Sequence, residues 1–139
     1  MDGEYRKIRA FLFDRLTEAA AVSGIVPEEE GGTAVPPNPG DLRLRVVFRG
    51  FRIAPSSDCG HVIRGEILTE ILYVPGESLS ADILSDHLLG VFRPGNGEVG
   101  NCLFRVLTAG ARALELKNEG KYLRTGLSFD IAVWKTDEF

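Results

Sequence analysis

The run His61-Val62-Ile63-Arg64-Gly65-Glu66-Ile67-Leu68-Thr69-Glu70-Ile71-Leu72-Tyr73-Val74 alternates with a period of two. Ile63, Ile67, Ile71 and Tyr73 share one face, while Arg64, Glu66 and Glu70 share the other with Leu68 and Leu72. Successive side chains of a strand point to opposite faces, so residues 61–74 are predicted to form a half-buried strand. Strands usually run to about 5–6 residues, and this one is far longer. Gly65 marks a candidate bulge within it. Leucines on the outer face of such a strand call for something to cover them there.

Upstream, residues 42–49 alternate as cleanly. Leu42, Leu44, Val46 and Phe48 point one way, and Arg43, Arg45, Val47 and Arg49 the other. This predicts a second strand with a basic outer face. Residues 54–60, Ala-Pro-Ser-Ser-Asp-Cys-Gly, read as the turn between the two strands. Downstream, Pro75-Gly76-Glu77 turns the chain into a helix whose stripe is Ala81, Leu84, Leu88 and Val91, with Ile83 alongside. Ser78 or Ser80 is the expected N-cap. Pro94-Gly95-Asn96-Gly97 stops the helix near Phe92.

The remaining chain fits around this centre. Residues 4–22 carry Tyr5, Ile8, Leu12, Leu16 and Ala19 at helical spacing, widened by Phe11, with Gly24 as a stop. Residues 25–41 hold Glu28-Glu29-Glu30, two adjacent glycines and Pro36-Pro37-Asn38-Pro39-Gly40. Proline removes backbone donors, so this stretch is expected to be a long flexible loop rather than a central strand. Its acidic triplet reads first as a solvated run. Residues 102–109 read as a strand with Phe104 and Val106 inward, 111–117 as a separate short strand, and 121–134 as a closing strand. Leu127, Phe129, Ile131 and Val133 alternate along the last of these. The expected architecture is α+β: one domain spanning residues 1–139, a single mixed and mostly antiparallel sheet, and two helices packed on one face. Ile63, Ile67, Ile71, Phe129 and Ile131 are its expected core.

Composition narrows the function classes. The chain has 139 residues, 44% of them hydrophobic, and a net charge of −4. That balance argues against disorder and against general nucleic-acid binding, which favours a basic surface. No apolar run approaches the roughly 18 residues of a membrane helix, and the N-terminus lacks a signal-peptide pattern, so a soluble intracellular protein is expected. Cys59 and Cys102 are expected as free thiols. Cys59-Gly60-His61, with Cys102 and His87, falls at no recognised metal-ligand spacing. No phosphate-loop, dinucleotide or nucleophile-elbow motif is present. Ser85-Asp86-His87 carries triad letters, but neighbouring helical residues point in different directions. Asp82 and Asp86 lie at i,i+4 with no further ligand pair. No catalytic residue, cofactor or metal is therefore expected.

One charged feature remains. Arg43, Arg45 and Arg49 line one strand face, with Arg52 and Arg64 nearby in sequence. They form either a solvated outer face or an electrostatic contact surface. The acidic complement is Glu28, Glu29 and Glu30, or Glu66 and Glu70; the last two could equally pair with the arginines across strands of one chain.

The stretch Gly60 to Glu77, followed by the helix Ser80 to Val91 and Phe92-Arg93-Pro94-Gly95, resembles small bacteriophage and prophage tail terminator proteins of the lambda type. The resemblance extends by element order over nearly the whole chain, and its residue-level rhythm lies in 60–95. It implies a non-enzymatic structural role: a homo-oligomeric ring, typically a hexamer, that ends the tail tube and meets the head–tail connector. The implied location is the host bacterial cytoplasm during assembly and then the virion tail, without membrane or direct nucleic-acid recognition. Apolar residues on the outer face, Val47, Leu68 and Leu72, and the loop 25–41 are the expected contact patches. The alternatives are another phage assembly part, such as a connector or tail-tube protein, or a small-ligand or regulatory α+β domain. An apolar pocket on the sheet face away from the helices would favour the ligand reading.

Overall fold

The computed structural model describes residues 2–29, 42–54, 60–92, 104–114 and 122–136. Its elements are α1 (Asp2–Ala21), β1 (Glu28–Glu29), β2 (Leu42–Ala54), β3 (Gly60–Tyr73), α2 (Ser78–Gly90), β4 (Phe104–Ala113) and β5 (Leu123–Thr136). The five strands form one sheet in the order β1-β2-β3-β5-β4. Only the β1–β2 pairing is parallel; the other three are antiparallel. The fold is α+β, a mixed and mostly antiparallel sheet with both helices on one face.

Strand β3 is paired along its length on both sides, with β2 from Leu42↔Tyr73 to Ala54↔Val62 and with β5 from Gly60↔Thr136 to Tyr73↔Leu123. Its odd-numbered residues face the helices. Ile63, Ile67 and Ile71 are buried there with Leu44 and Val46 of β2 and Phe129, Ile131 and Val133 of β5. Helix α1 contributes Ile8, Phe11, Leu12, Leu16 and Ala20; α2 contributes Ala81, Leu84 and Leu88. Phe92, just past α2, sits edge-on to Phe129 with ring centroids 5.5 Å apart. Each fully buried side chain of this kind contributes about 1.5–3 kcal/mol. The expected core residues all lie in this cluster.

Both helix ends have a local cause. After α1, Gly24 takes φ +71°, its N–H bonds the carbonyl of Ala21, and the N–H of Ile25 bonds that of Ala20. This paired capping pattern satisfies carbonyls that the helix itself leaves free. At α2, neither serine is the cap: Glu77 holds that position, and Ser80 Oγ donates to Glu77 Oε2 at 3.2 Å. The side chains of cap and third helical residue are thus joined to each other instead of to the backbone.

Three boundaries differ from the sequence reading. Strand β2 does not stop at Arg49 but continues through a bulge, because Arg49 pairs with Glu66 and Arg52 with Arg64. Gly50 and Phe51 therefore oppose Gly65 alone, and Gly50 has φ +68°, a conformation glycine adopts without penalty. The bulge lies on the strand facing Gly65, not on Gly65's own strand. Segments 102–109 and 111–117 are not two strands: β4 runs from Phe104 to Ala113 through Gly110, which pairs with Asp130. The continuous ladder offered by β5 overrides the local break expected of a glycine. Residues 25–29 are not all loop, since Glu28 and Glu29 pair with Arg45 and Val46. Residues 30–41, with Glu30, lie outside the described residues, as do Cys59, Cys102, Gly95-Asn96-Gly97 and positions 115–117.

Two outcomes are expected. Ile67→Asp places an unpaired charge in the core and should give a chain without a cooperative thermal transition by circular dichroism. At Gly65 an added Cβ would stand 2.1 Å from Phe51 Cδ1. Gly65→Ala should therefore cost about 1–3 kcal/mol in urea unfolding, and most of that cost should vanish in a Phe51→Ala background.

Candidate functional site

The sheet face away from the helices carries the charged residues singled out from the sequence. Even positions of β3 face it, so Glu66 and Glu70 form an acidic line along the central strand. Arginines approach from both flanks. From β2, Arg49 Nε donates to Glu66 Oε1 at 2.8 Å, and Arg45 lies 3.9 Å from Glu70. From β5, Arg124 Nε donates to Glu70 Oε1 at 2.8 Å; from β4, Arg112 reaches Glu66 Oε2 at 3.7 Å. Glu66 and Glu70 thus each bridge two arginines on different strands.

The same period-two geometry explains Glu28 and Glu29. Adjacent residues of β1 point to opposite faces, so Glu28 pairs with Arg43 on the outer face while Glu29 accepts from Arg9 of α1 at 2.8 Å. Arg9 also stands over the Phe48 ring, 5.4 Å from its centroid. Two of the three acidic residues are therefore engaged in fastening the short edge strand. Arg43, Arg45, Arg49, Glu28, Glu29, Glu66 and Glu70 all have partners within one chain, the arrangement that cross-strand pairing alone predicts.

The apolar residues expected on this face are less available than their position in the sequence implies. Leu72 is fully buried, and Val47 and Leu68 are half-buried. Ser128 and Ala132 on the same face are also buried, outside the helix-side cluster. Among the described residues, the large apolar side chains that do meet solvent are Val22, Val26, Ile53, Leu79 and Ile83. Ile83 lies on the exposed flank of α2, one turn from Leu79, instead of joining the helix's buried stripe.

An open depression of about 510 Å³ is lined by Arg49, Gly50, Arg52, Arg64, Gly65, Glu66, Asp130 and Ile131. Its walls are charged and its floor includes two glycines, so it is not the apolar pocket that a small-ligand domain would present. The β2 bulge makes this depression, and the sequence carried a signal for it. The inward positions are even up to Phe48 and odd from Phe51, a phase change centred on Gly50. Asp82 and Asp86 are exposed on α2, and His87 is half-buried with its Nδ1 buried and unpartnered. Among the described residues no group of three or more His, Cys, Asp or Glu could hold a metal ion, and no helix is long and apolar enough to cross a membrane.

No protein-family model matches the chain, and no curated protein matches it. One solved structure, of a protein whose name describes no function, is 21% identical, with a TM-score of 0.48 over 95% of this chain and 94% of that one.

The two bridging glutamates have a measurable weight. Glu70, with its side chain only 16% exposed, serves both Arg45 and Arg124. Glu70→Ala leaves those two guanidinium groups facing each other and should cost about 1.5–3 kcal/mol in chemical unfolding. Glu28→Ala, at an exposed edge pair, should cost no more than about 1 kcal/mol in the same measurement.

Proposed function

We propose that this chain is a structural protein of virion assembly, of the tail-terminator type, whose copies join head-to-tail as a ring. Residues 60–95, which include the central strand β3 and the helix α2, carry the resemblance from which the kind of assembly is taken. In this reading the ring, expected as a hexamer, caps the tail tube on one side and meets the head–tail connector on the other. The chain works by surface contact, without catalysis or cofactor, in the host cytoplasm and then in the virion tail.

The observation that supports association is the inequality of the two sheet edges. At one edge, β4 is the last strand among the described residues, and its stretch beyond the bulge, Ala109-Gly110-Ala111-Arg112-Ala113, carries small side chains apart from Arg112. At the other edge, among the described residues β1 covers β2 only at Arg45 and Val46, and Val26 stands exposed just before β1. Unpaired strand edges present free backbone donors and acceptors to a neighbouring chain. Two unlike edges on one chain make a heterologous contact, which generates a ring when the rotation closes. Arg43, Arg45 and Arg49, already paired internally, serve here to hold the sheet flat against its own charges, and the edges carry the contact.

Ala111→Lys with Ala113→Lys tests this reading. Both positions are exposed, so the subunit should fold and melt as the parent does. Charges on an edge strand block edge-to-edge pairing. Phage supplied only with the double variant should make tails of uncontrolled excess length by electron microscopy. A tail-tube protein would instead give no tails, and a connector would give tails of normal length without heads. Normal tails joined to heads would reject the edge contact.

A further inference from the structure

The β2 bulge sets two arginines against each other. Arg52 and Arg64 are direct partners in the β2–β3 register and share the outer face. Both are exposed, and among the described residues neither guanidinium makes a hydrogen bond or an ion pair. Their neighbours on the same face differ: Arg49 is held by Glu66, and Glu66 is held in turn by Arg112. Like charges placed directly opposite on a sheet are destabilising, and among the described residues no carboxylate forms an ion pair with either arginine, although Glu66 and Asp130 line the same depression. The pair lines the open depression together with Gly50 and Gly65. An added Cβ at Gly50 would meet nothing within 4 Å.

We propose that the Arg52–Arg64 pair is a docking site for an acidic segment of a partner protein, one of whose carboxylates seats between the two guanidinium groups. Charge complementarity selects the occupant. Two arginines in direct register that line one depression offer planar paired donors, a geometry that fits carboxylate. Glu66 and Asp130 line the other side of the same depression, so a phosphate dianion or a nucleic-acid backbone would meet repulsion that a single carboxylate avoids. The depression is open, whereas pockets for small molecules bury most of their ligand, so a protein segment that covers the rim fits better than a free acid. The proposal does not rest on the ring: it is argued from the outer face of β2 and β3, with Arg52 on the stretch of β2 beyond its β1 partners and Arg64 on the central strand.

The test uses the full chain and three probes: hexaglutamate peptide, inorganic phosphate and a short oligothymidylate. By NMR, hexaglutamate should shift the amide signals of Gly50 and Gly65 and the Nε signals of Arg52 and Arg64, with phosphate and oligothymidylate weaker at the same positions. Arg52→Gln with Arg64→Gln should weaken hexaglutamate binding roughly tenfold or more. Arg64→Glu supplies Arg52 with a carboxylate from its own sheet. That variant should lose hexaglutamate binding and melt about 1–4 °C higher, a combination that a purely structural arginine would not give. The proposal is overturned if hexaglutamate leaves those signals unmoved at millimolar concentration, or if the double variant binds as the parent does. Equal or tighter phosphate or oligothymidylate binding would reassign the site to phosphate. Concentration-dependent shifts of the same signals without any probe would reassign it to a second copy of the chain.

Discussion

The ladder on β3 is the constraint on which the molecule depends. This strand is paired with β5 over its fourteen residues and with β2 from Val62 to Tyr73, so its register fixes the register of β2 and β5 together. A slip of one residue would turn every isoleucine of the core outward and every glutamate inward, because the side-chain period is two. Backbone contacts enforce the same register independently. A Cβ at Gly126 would come 2.1 Å from the carbonyl oxygen of Thr69, and one at Gly60 2.2 Å from that of Lys135. The hydroxyl of Thr69, buried in the sheet, donates to the carbonyl of Leu127 and ties β3 to β5 at the same level.

The charged face follows from that register. Once the isoleucines point to the helices, Glu66 and Glu70 must point away, and the arginines of β2, β5 and β4 fall beside them. Each glutamate shared between two flanking strands pulls the sheet together across its width. These groups are partly desolvated, with side-chain exposures of 16–20% for Glu70 and its two arginines, so the pairs act in a medium where attraction is stronger than at an open surface. The arginines that pair with Glu66 and Glu70 are therefore part of what holds the fold.

Much of this was legible in the sequence because it was written in strict alternation. Ile63, Ile67, Ile71, Phe129 and Ile131 could be assigned to the core from period alone, and Arg43, Arg45 and Arg49 to the opposite face. What was not legible depended on partners distant in sequence. Leu72 lies on the polar side of its strand by period yet is fully buried. Gly110 reads as a break by itself, but the neighbouring strand carries the ladder through it. The Glu28–Glu29 pair reads as solvated charge until β2 supplies its parallel neighbour. The serine expected to cap α2 meets the side chain of Glu77, a competition between short-range acceptors that spacing alone does not rank. The phase change at Gly50 belongs to a different class: Phe48 to Phe51 is an odd interval between inward residues, so the signal was present in one strand's own sequence.

That phase change joins the fold to its unresolved charge. Had β2 continued without the extra residue, Phe51 and Ile53 would have followed Arg49 onto the outer face and Arg52 would have turned toward the helices. One inserted residue corrects both. It carries the Phe51 ring over Gly65, where it meets Phe48 edge-on at 5.9 Å, and it brings Arg52 out opposite Arg64. β4 shows a matching slip between Val106 and Thr108, opposite Val133 and Ala132, nearly level with Gly65 and its partner Ile131. Bulges increase local twist and bend the strand that carries them. Two of them, on strands flanking the central pair and at nearly one level, shape the sheet where the open depression lies. The packing of an aromatic ring on a glycine and the exposure of two directly opposed arginines are thus consequences of the same inserted residue, so the sheet could not lose the charge conflict by restoring regular pairing without also driving an arginine into its core.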